Sequence, residues 1–458
     1  MARKMIGGAT LTALVVLVAA GPVGAETIDA TTPGVFADNA FVLVCGALVI
    51  FMQAGFAMVE AGMTRAKNAA HMMLKNLLDF VLGASGFALI GYHLAFSGAA
   101  WIGFVWRWGD PIGPSPTAPN LTMAVHFFFN MGFTAAASTI VSGALAERVR
   151  FKAYFIYAIA ISTLVYPIVV SWTWGGGWLA RLDTPFIDFA GSTVVHATGG
   201  AAALVGAAIL GPRIGRYDVD GNSQPIPGHN LPLAILGVFI LVIGWFGFNA
   251  GSMLGAHLQI GTVAVITALG ASTGGIGATV ASWIAVKTPD VTLIGNGVLG
   301  GLVGITAGAA NLSIFGAMAI GLVAGIIATH GVLLLDRRRI DDPVGAVPVH
   351  LFCGVWGTIA LGLLADPDAA VGGDGPAGLL YGGSAALLWS QITGVVVILA
   401  FVTSAVGALF AVLHSMGALR VTPEAEAAGL DLFEHATPAY NDDLVDYERL
   451  RALDPSDA

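Results

Sequence analysis

Long apolar runs separated by short polar stretches make up most of this chain. Runs long enough to cross a bilayer lie near 39–62, 72–96, 121–145, 153–174, 190–210, 231–254, 259–286, 291–310, 314–335, 343–364 and 385–415. An α-helix needs about 20 apolar residues to cross a hydrocarbon core roughly 30 Å thick. The pattern predicts an all-α integral membrane protein with eleven transmembrane helices, in a membrane domain spanning 26–418. A further run, Leu11 to Ala20, is short for a span. It follows Arg3 and Lys4 and precedes the small residues Val23, Gly24 and Ala25. That order reads as a signal peptide over 1–25, cleaved near Ala25. Residues 419–458 read as a polar cytoplasmic tail, kept in water by acids such as Glu424, Glu426, Asp431 and Glu434.

The basic residues set an orientation. Arg65, Lys67, Arg148, Arg150, Lys152, Arg213, Arg216, Lys287 and Arg337 to Arg339 fall in alternate loops, whereas the other loops hold only Arg107 and Arg181. The positive-inside rule then puts the N-terminus outside and the C-terminus in the cytoplasm. Spans one to five (about 38–210) and six to ten (about 231–364) form two halves. Five is odd, so the second half is inverted relative to the first. The run at 385–415 is an extra helix.

One motif occurs in both halves. Asp188 is followed by Gly191, Val195, His196 and Gly200; Asp342 is followed at the same spacings by Gly345, Val349, His350 and Gly354. A histidine eight residues into a helix lies about 12 Å along its axis, near mid-membrane. Inverted repeats bring such paired positions together at a shared site, and ionisable groups at that depth are usually functional. Asp188 and Asp342 stand where helix N-caps belong. Asp188 could in addition lend negative potential to a cation site without touching the cation.

Composition narrows the chemistry. With 56% hydrophobic and 10% charged residues, a soluble protein is excluded. The 62 glycines suit tight helix–helix packing. A net charge of −9 and the lack of a basic patch speak against nucleic acid. Cys45 and Cys353 both fall in apolar runs and are expected as buried free thiols. No phosphate-binding loop, dinucleotide fingerprint, zinc spacing or nucleophile elbow is present. A transport protein, not an enzyme, is expected, with no metal or cofactor.

Aromatic residues cluster near the predicted outer ends of spans. Phe129 and Phe133 are four apart on one helix; Trp245, Phe248 and Ser252 also follow helical spacing; Trp174 precedes three glycines. Such rings either pack the interface or bind a small cation through their faces, worth roughly 0.5–2 kcal/mol. Glu60 reads as a hydrogen-bonded structural acid, and Lys75 as a residue that snorkels to the inner surface. The remaining histidines, His71 and His126 among them, show no paired pattern.

Four stretches carry a family resemblance: Asp188 to His196, Gly244 to Ser252, Gly143 to Arg148, and Asp341 to His350. From about Asp38 to Tyr440 the chain resembles the Amt/MEP/Rh ammonium transporters, on the bacterial Amt side. The resemblance implies a homotrimer with one pore per subunit, in the inner (plasma) membrane. It implies an ammonium recruitment site at Trp174, Ser252 and Phe133, supported by Asp188, with Phe129 and Trp245 lining the same vestibule. Phe133 and Phe248 correspond to a paired aromatic gate, and His196 and His350 to the hydrogen-bonded twin histidines of the pore. Ammonium or ammonia is the implied substrate, with methylammonium as an analogue. Segment 419–440 resembles the part of bacterial relatives that helps bind a PII signalling protein. Leu351, where many relatives have glycine, is a departure. Two rivals are an ammonium sensor signalling through PII, and a redox protein holding haem between two histidines.

Overall fold

The computed structural model describes residues 33–440, apart from 109, 372 and 374. The signal-peptide expectation at 1–25, and Asp442, Asp443 and Asp446 of the tail, lie outside the described residues. Among the described residues the fold is all helical. Ten helices are long and apolar enough to span: α1 Gly34–Met63, α2 Ala66–Ala95, α3 Met123–Ala144, α4 Phe151–Trp172, α5 Ser192–Leu210, α6 Leu231–Gly251, α7 Ile260–Val286, α9 Ile314–Arg337, α10 Val347–Leu364 and α11 Ala385–Ser415. A shorter apolar helix, α8 Val291–Thr306, completes the eleven. Two short helices follow, α12 Pro423–Ala428 and α13 Leu430–His435.

The eighth span stops at Thr306, not at 310, for a physical reason. The backbone just past its end is claimed by the segment that leads into α5. Phe189 N–H donates to Ala307 O (3.0 Å) and Ala190 N–H to Thr306 O (3.2 Å). Ser192 Oγ donates to Val303 O (2.6 Å) and accepts from Ala307 N–H (2.7 Å). Continuing the helix would take those groups away from α5.

Glycine sets how closely the helices approach. In the α7–α8–α9 sheaf, a Cβ on Gly301 would lie 2.1 Å from Gly270 O, and one on Gly325 would lie 1.9 Å from Gly274 O. Backbones this close gain dispersion contacts that lipid cannot supply. Gly301→Val should therefore force the sheaf apart and destabilise the protein by about 1–3 kcal/mol. Gly261, in the same sheaf, faces open space. Thermal unfolding in detergent should show a clear drop for Gly301→Val and almost none for Gly261→Ala; equal midpoints would refute the packing argument.

Four π-helical turns interrupt the spans: Phe87–Gly91 in α2, Ile161–Val165 in α4, Ser192–Ala197 in α5 and Val347–Phe352 in α10. Such turns widen a helix locally and often mark functional sites. The last two contain His196 and His350.

The tail is not the solvated segment that its acids suggest. Glu426 and Asp431 are both buried. Asp431 caps α2 from across the chain, accepting from His71 N–H (2.7 Å) and Ala70 N–H (3.0 Å). Glu426 accepts from Ile214 N–H (2.6 Å) and Arg420 (2.8 Å). His435 Nε2 lies 2.8 Å from His71 Nδ1, a pairing that the sequence spacing does not reveal. Lys75 also departs from expectation. It is fully buried, donating to Ser142 O (2.9 Å) over the Tyr154 ring, rather than snorkelling.

Candidate functional site

The repeated motif explains itself residue by residue. Asp188 accepts four backbone N–H bonds, from Gly191 (3.0 Å) and from Ser192, Thr193 and Val194 (2.8 Å each). Asp342 accepts three, from Gly345 (3.1 Å), Ala346 (3.1 Å) and Val347 (2.7 Å). These are the orphan donors of a helix start. To fold back over its carboxylate the chain turns left-handed at Gly191 (φ 116°) and Gly345 (φ 76°), which is why the third residue is glycine. The twelfth-position glycines let the halves cross. A Cβ on Gly200 would sit 2.4 Å from Leu351 N, and one on Gly354 would sit 2.3 Å from Ser192 O. Each glycine receives the π turn of the other half.

That crossing brings the two histidines together. His196 Nδ1 and His350 Nδ1 are 3.2 Å apart, and the rings are near parallel at 24°. His196 is fully buried, stacked on Trp245 (4.9 Å between centroids) and Phe248 (5.3 Å). A hydrogen-bonded contact of this length leaves no space for a haem iron between the rings.

Above His196 the rings of Phe248 and Phe133 meet at 4.2 Å. Phe133 floors a cavity of about 170 Å³ that Phe129, Trp174 and Ser252 also line. Ser252 Oγ donates to Phe248 O (2.9 Å), so its lone pairs remain free to accept. Trp174 Nε1 donates to Asp188 O (2.7 Å), which ties the cavity wall to the carboxylate behind it. Trp245 is not among the cavity-lining residues; its ring stacks on His196, with Nε1 donating to Thr306 Oγ1 (2.9 Å).

On the other side of the pair, His350 borders a void of about 20 Å³ shared with Phe56, Val59, Glu60 and Leu241. Beyond it opens a cavity of about 560 Å³ on the face where Arg213 and Arg216 lie, the tail face. The site is thus a line: aromatic cavity, phenylalanine pair, histidine pair, small void, wide cavity.

The Ammonium Transporter Family model matches residues 40–440. The chain belongs to the ammonium transporter family. It is 44% identical to the ammonium transporter Amt2 of Archaeoglobus fulgidus over 454 residues, covering 95% of this chain and 96% of the relative. Among solved structures it is similar to a sensor Amt protein (34% identity, TM-score 0.81, 88% of this chain and 99% of that one). It is also similar to Candida albicans Mep2 (26% identity, TM-score 0.78, 85% and 87%).

Several residues in this family member's cavity escape sequence reasoning, two of them polar and on one helix. His126 and Asn130 line it beside Phe129 and Phe133. Positions 126, 129, 130 and 133 follow the spacing of one helix face, so the signal was there in α3. His126 is held by the Tyr92 hydroxyl (3.0 Å) and Thr117 Oγ1 (3.1 Å).

Proposed function

We propose that the protein moves ammonium by recruiting it in the aromatic cavity, deprotonating it there, and passing ammonia along the histidine pair. The observation that carries this reading is the Nδ1–Nδ1 contact between two cavities. Facing nitrogens at that distance share one proton, so one ring donates and the other accepts. Trp174 and Phe133 offer ring faces to a cation, Ser252 offers lone pairs, and Asp188 supplies negative potential from behind. Below the phenylalanine pair the small void beside His350 is lined mainly by apolar groups, Phe56, Val59, Leu241 and Leu299 among them. An intact cation there would lose its hydration without replacement, whereas neutral ammonia loses far less.

The cavity face is outside on this reading and the tail face is cytoplasmic, in keeping with the positive-inside rule, in the inner (plasma) membrane. Large exposed apolar side chains such as Phe239, Trp283 and Phe315 meet lipid or sister subunits of a homotrimer. The docked tail and the wide tail-face cavity offer a PII protein its surface. Similarity to a sensor Amt protein favours a second reading, in which ammonium binding is signalled rather than conducted.

Proteoliposomes separate these readings. Ammonium pulses should evoke current in the unmodified protein. His196→Ala should reduce that current at least tenfold, with ammonia uptake, followed by internal pH, retained. Uptake without current would mean that the proton stays outside. Binding with neither would favour the sensor.

A further inference from the structure

A buried polar chain runs away from the pore beside His350. Glu60, Lys75, Asn76, Asp79 and Ser142 are all 3% exposed or less. Glu60 Oε2 accepts from Ser142 Oγ (2.6 Å) and Asn76 Nδ2 (2.8 Å). Ser142 O in turn accepts from Lys75 Nζ (2.9 Å). One turn on, Asp79 accepts from Ser138 Oγ on one oxygen and the Tyr154 hydroxyl on the other, both 2.6 Å.

Charge arithmetic singles out one member. The chain has two acids and one base, and none of the three takes part in an ion pair among the described residues. The next charges toward the tail face have counter-charges of their own: Glu147 faces Arg65 and Arg213, and Arg148, bonded to the backbone of Ala146, Gly211 and Asp341, faces the Asp341 charge. With Lys75 charged, both acids cannot ionise without leaving a net buried negative charge, which is strongly disfavoured. Hydrogen bonding distinguishes the two. Asp79 has a donor on each oxygen, as a carboxylate wants. Glu60 has both donors on Oε2, and no hydrogen bond reaches Oε1 among the described residues. That asymmetry suits a carboxylic acid, with Oε2 as the carbonyl and Oε1 as the hydroxyl.

Glu60 and His350 border the same void. Its volume of about 20 Å³ suits one small molecule, since a water needs roughly 10–15 Å³ by the same kind of measure.

We propose that Glu60 is the proton-exchanging acid of the pore, acting on the single ammonia or water molecule held in the void it shares with His350. The proposal rests on the transport reading above. The glutamic O–H bond breaks as an N–H bond forms on ammonia, giving ammonium and the Glu60 carboxylate. Lys75 and the hydroxyl of Ser142 stabilise that carboxylate. Glu60 regains its proton from the histidine pair, through a water in the void, before the next ammonia enters, and the pair regains its own from the ammonium deprotonated in the aromatic cavity. The charged and titratable groups around it are His350 on α10, Lys75 and Asp79 on α2, and Tyr154 on α4.

Glu60→Gln keeps the shape and an acceptor for Ser142 and Asn76, but cannot exchange a proton. In proteoliposomes its ammonium-evoked current should fall at least tenfold while ammonia uptake continues; a merely structural acid would lose both together. Glu60→Asp, which keeps the acid but withdraws it from the void, should retain an intermediate current and serves as the test if the glutamine variant does not fold. Current in either variant equal to that of the unmodified protein, with His196→Ala silent in the same series, would overturn the role of Glu60 and leave the transport reading intact. Uptake without current in the unmodified protein would overturn the role of Glu60 alone, and neither current nor uptake would overturn both. An infrared carboxylic acid band that is present in the unmodified protein and absent from Glu60→Gln would support a protonated Glu60. Identical spectra would count against it.

Discussion

Asp188→Asn should lower transport about a hundredfold. The side chain is 5% exposed and holds four N–H groups at the start of α5. An amide offers one acceptor oxygen in place of two and turns an NH₂ group toward donors. Two N–H groups then lose their partner, each at about 1–3 kcal/mol. The segment they belong to is the π turn that presents His196. The same substitution removes the negative charge behind Trp174 and Ser252. A combined loss near 3 kcal/mol corresponds to roughly a hundredfold in flux. Asp188→Glu keeps the charge with one more methylene and should be intermediate. Flux and thermal midpoint in Asp188→Asn matching the unmodified protein would show that the carboxylate neither builds nor biases the site.

Arg213→Met should produce the largest loss of stability. Arg213 forks onto both oxygens of Asp341, through Nε (2.8 Å) and Nη2 (3.0 Å), and reaches Glu147 through Nη1 (3.1 Å). All three side chains are nearly inaccessible. Removing one partner of a buried ion pair typically costs about 3–5 kcal/mol, because the other charge stays buried. Glu147 adds to this. It holds a left-handed backbone at φ 70°, unfavourable without glycine, and its ion pairs with Arg65 and Arg213 fix it there. Arg213→Lys restores the charge but not the fork and should recover only part.

Acid should expose the same cluster. Burial acts to raise the Asp341 carboxyl from 3.8, but the hydrogen bonds of Arg213 and the charges of Arg148 and Arg213 outweigh it and hold the group down at about 2. A depressed carboxyl stabilises the fold above its unfolded value. That contribution, roughly 2 kcal/mol, drains away as pH falls from near 4 to near 2. In Arg213→Met the carboxyl is buried without its main partner, so acid should relieve the strain and the slope should reverse. Thermal midpoints in detergent across this range distinguish the two; parallel curves would rule the argument out.

The sequence made the histidine pair legible because Asp, Gly, Val, His and Gly recur at one spacing in two halves of opposite direction. It did not reveal why the last glycine is needed, since its neighbour, Leu351, lies about 150 residues away and is met only when the halves cross. Helix α3 shows the limit from the other side. Phe129 and Phe133 stand out by type, while His126 and Asn130, on the same face, looked ordinary because neither had a counterpart in the other half. Lys75 misled because a lysine near a helix end usually reaches water, whereas Ser142 O and the Tyr154 ring receive it inside. Glu426 and Asp431 misled in the same way: acidity suggests solvent until the orphan N–H groups at Ile214, Ala70 and His71 are counted.

The reciprocal seating of Gly200 on Leu351 and of Gly354 on Ser192 has a consequence for how the chain can change. Neither half can gain a side chain at its crossing point unless the backbone of the other gives way. The two copies are therefore bound to drift as a pair. A one-residue deletion between Asp342 and His350 would swing that histidine by about 100° around its helix and strand His196, whose own half had lost nothing.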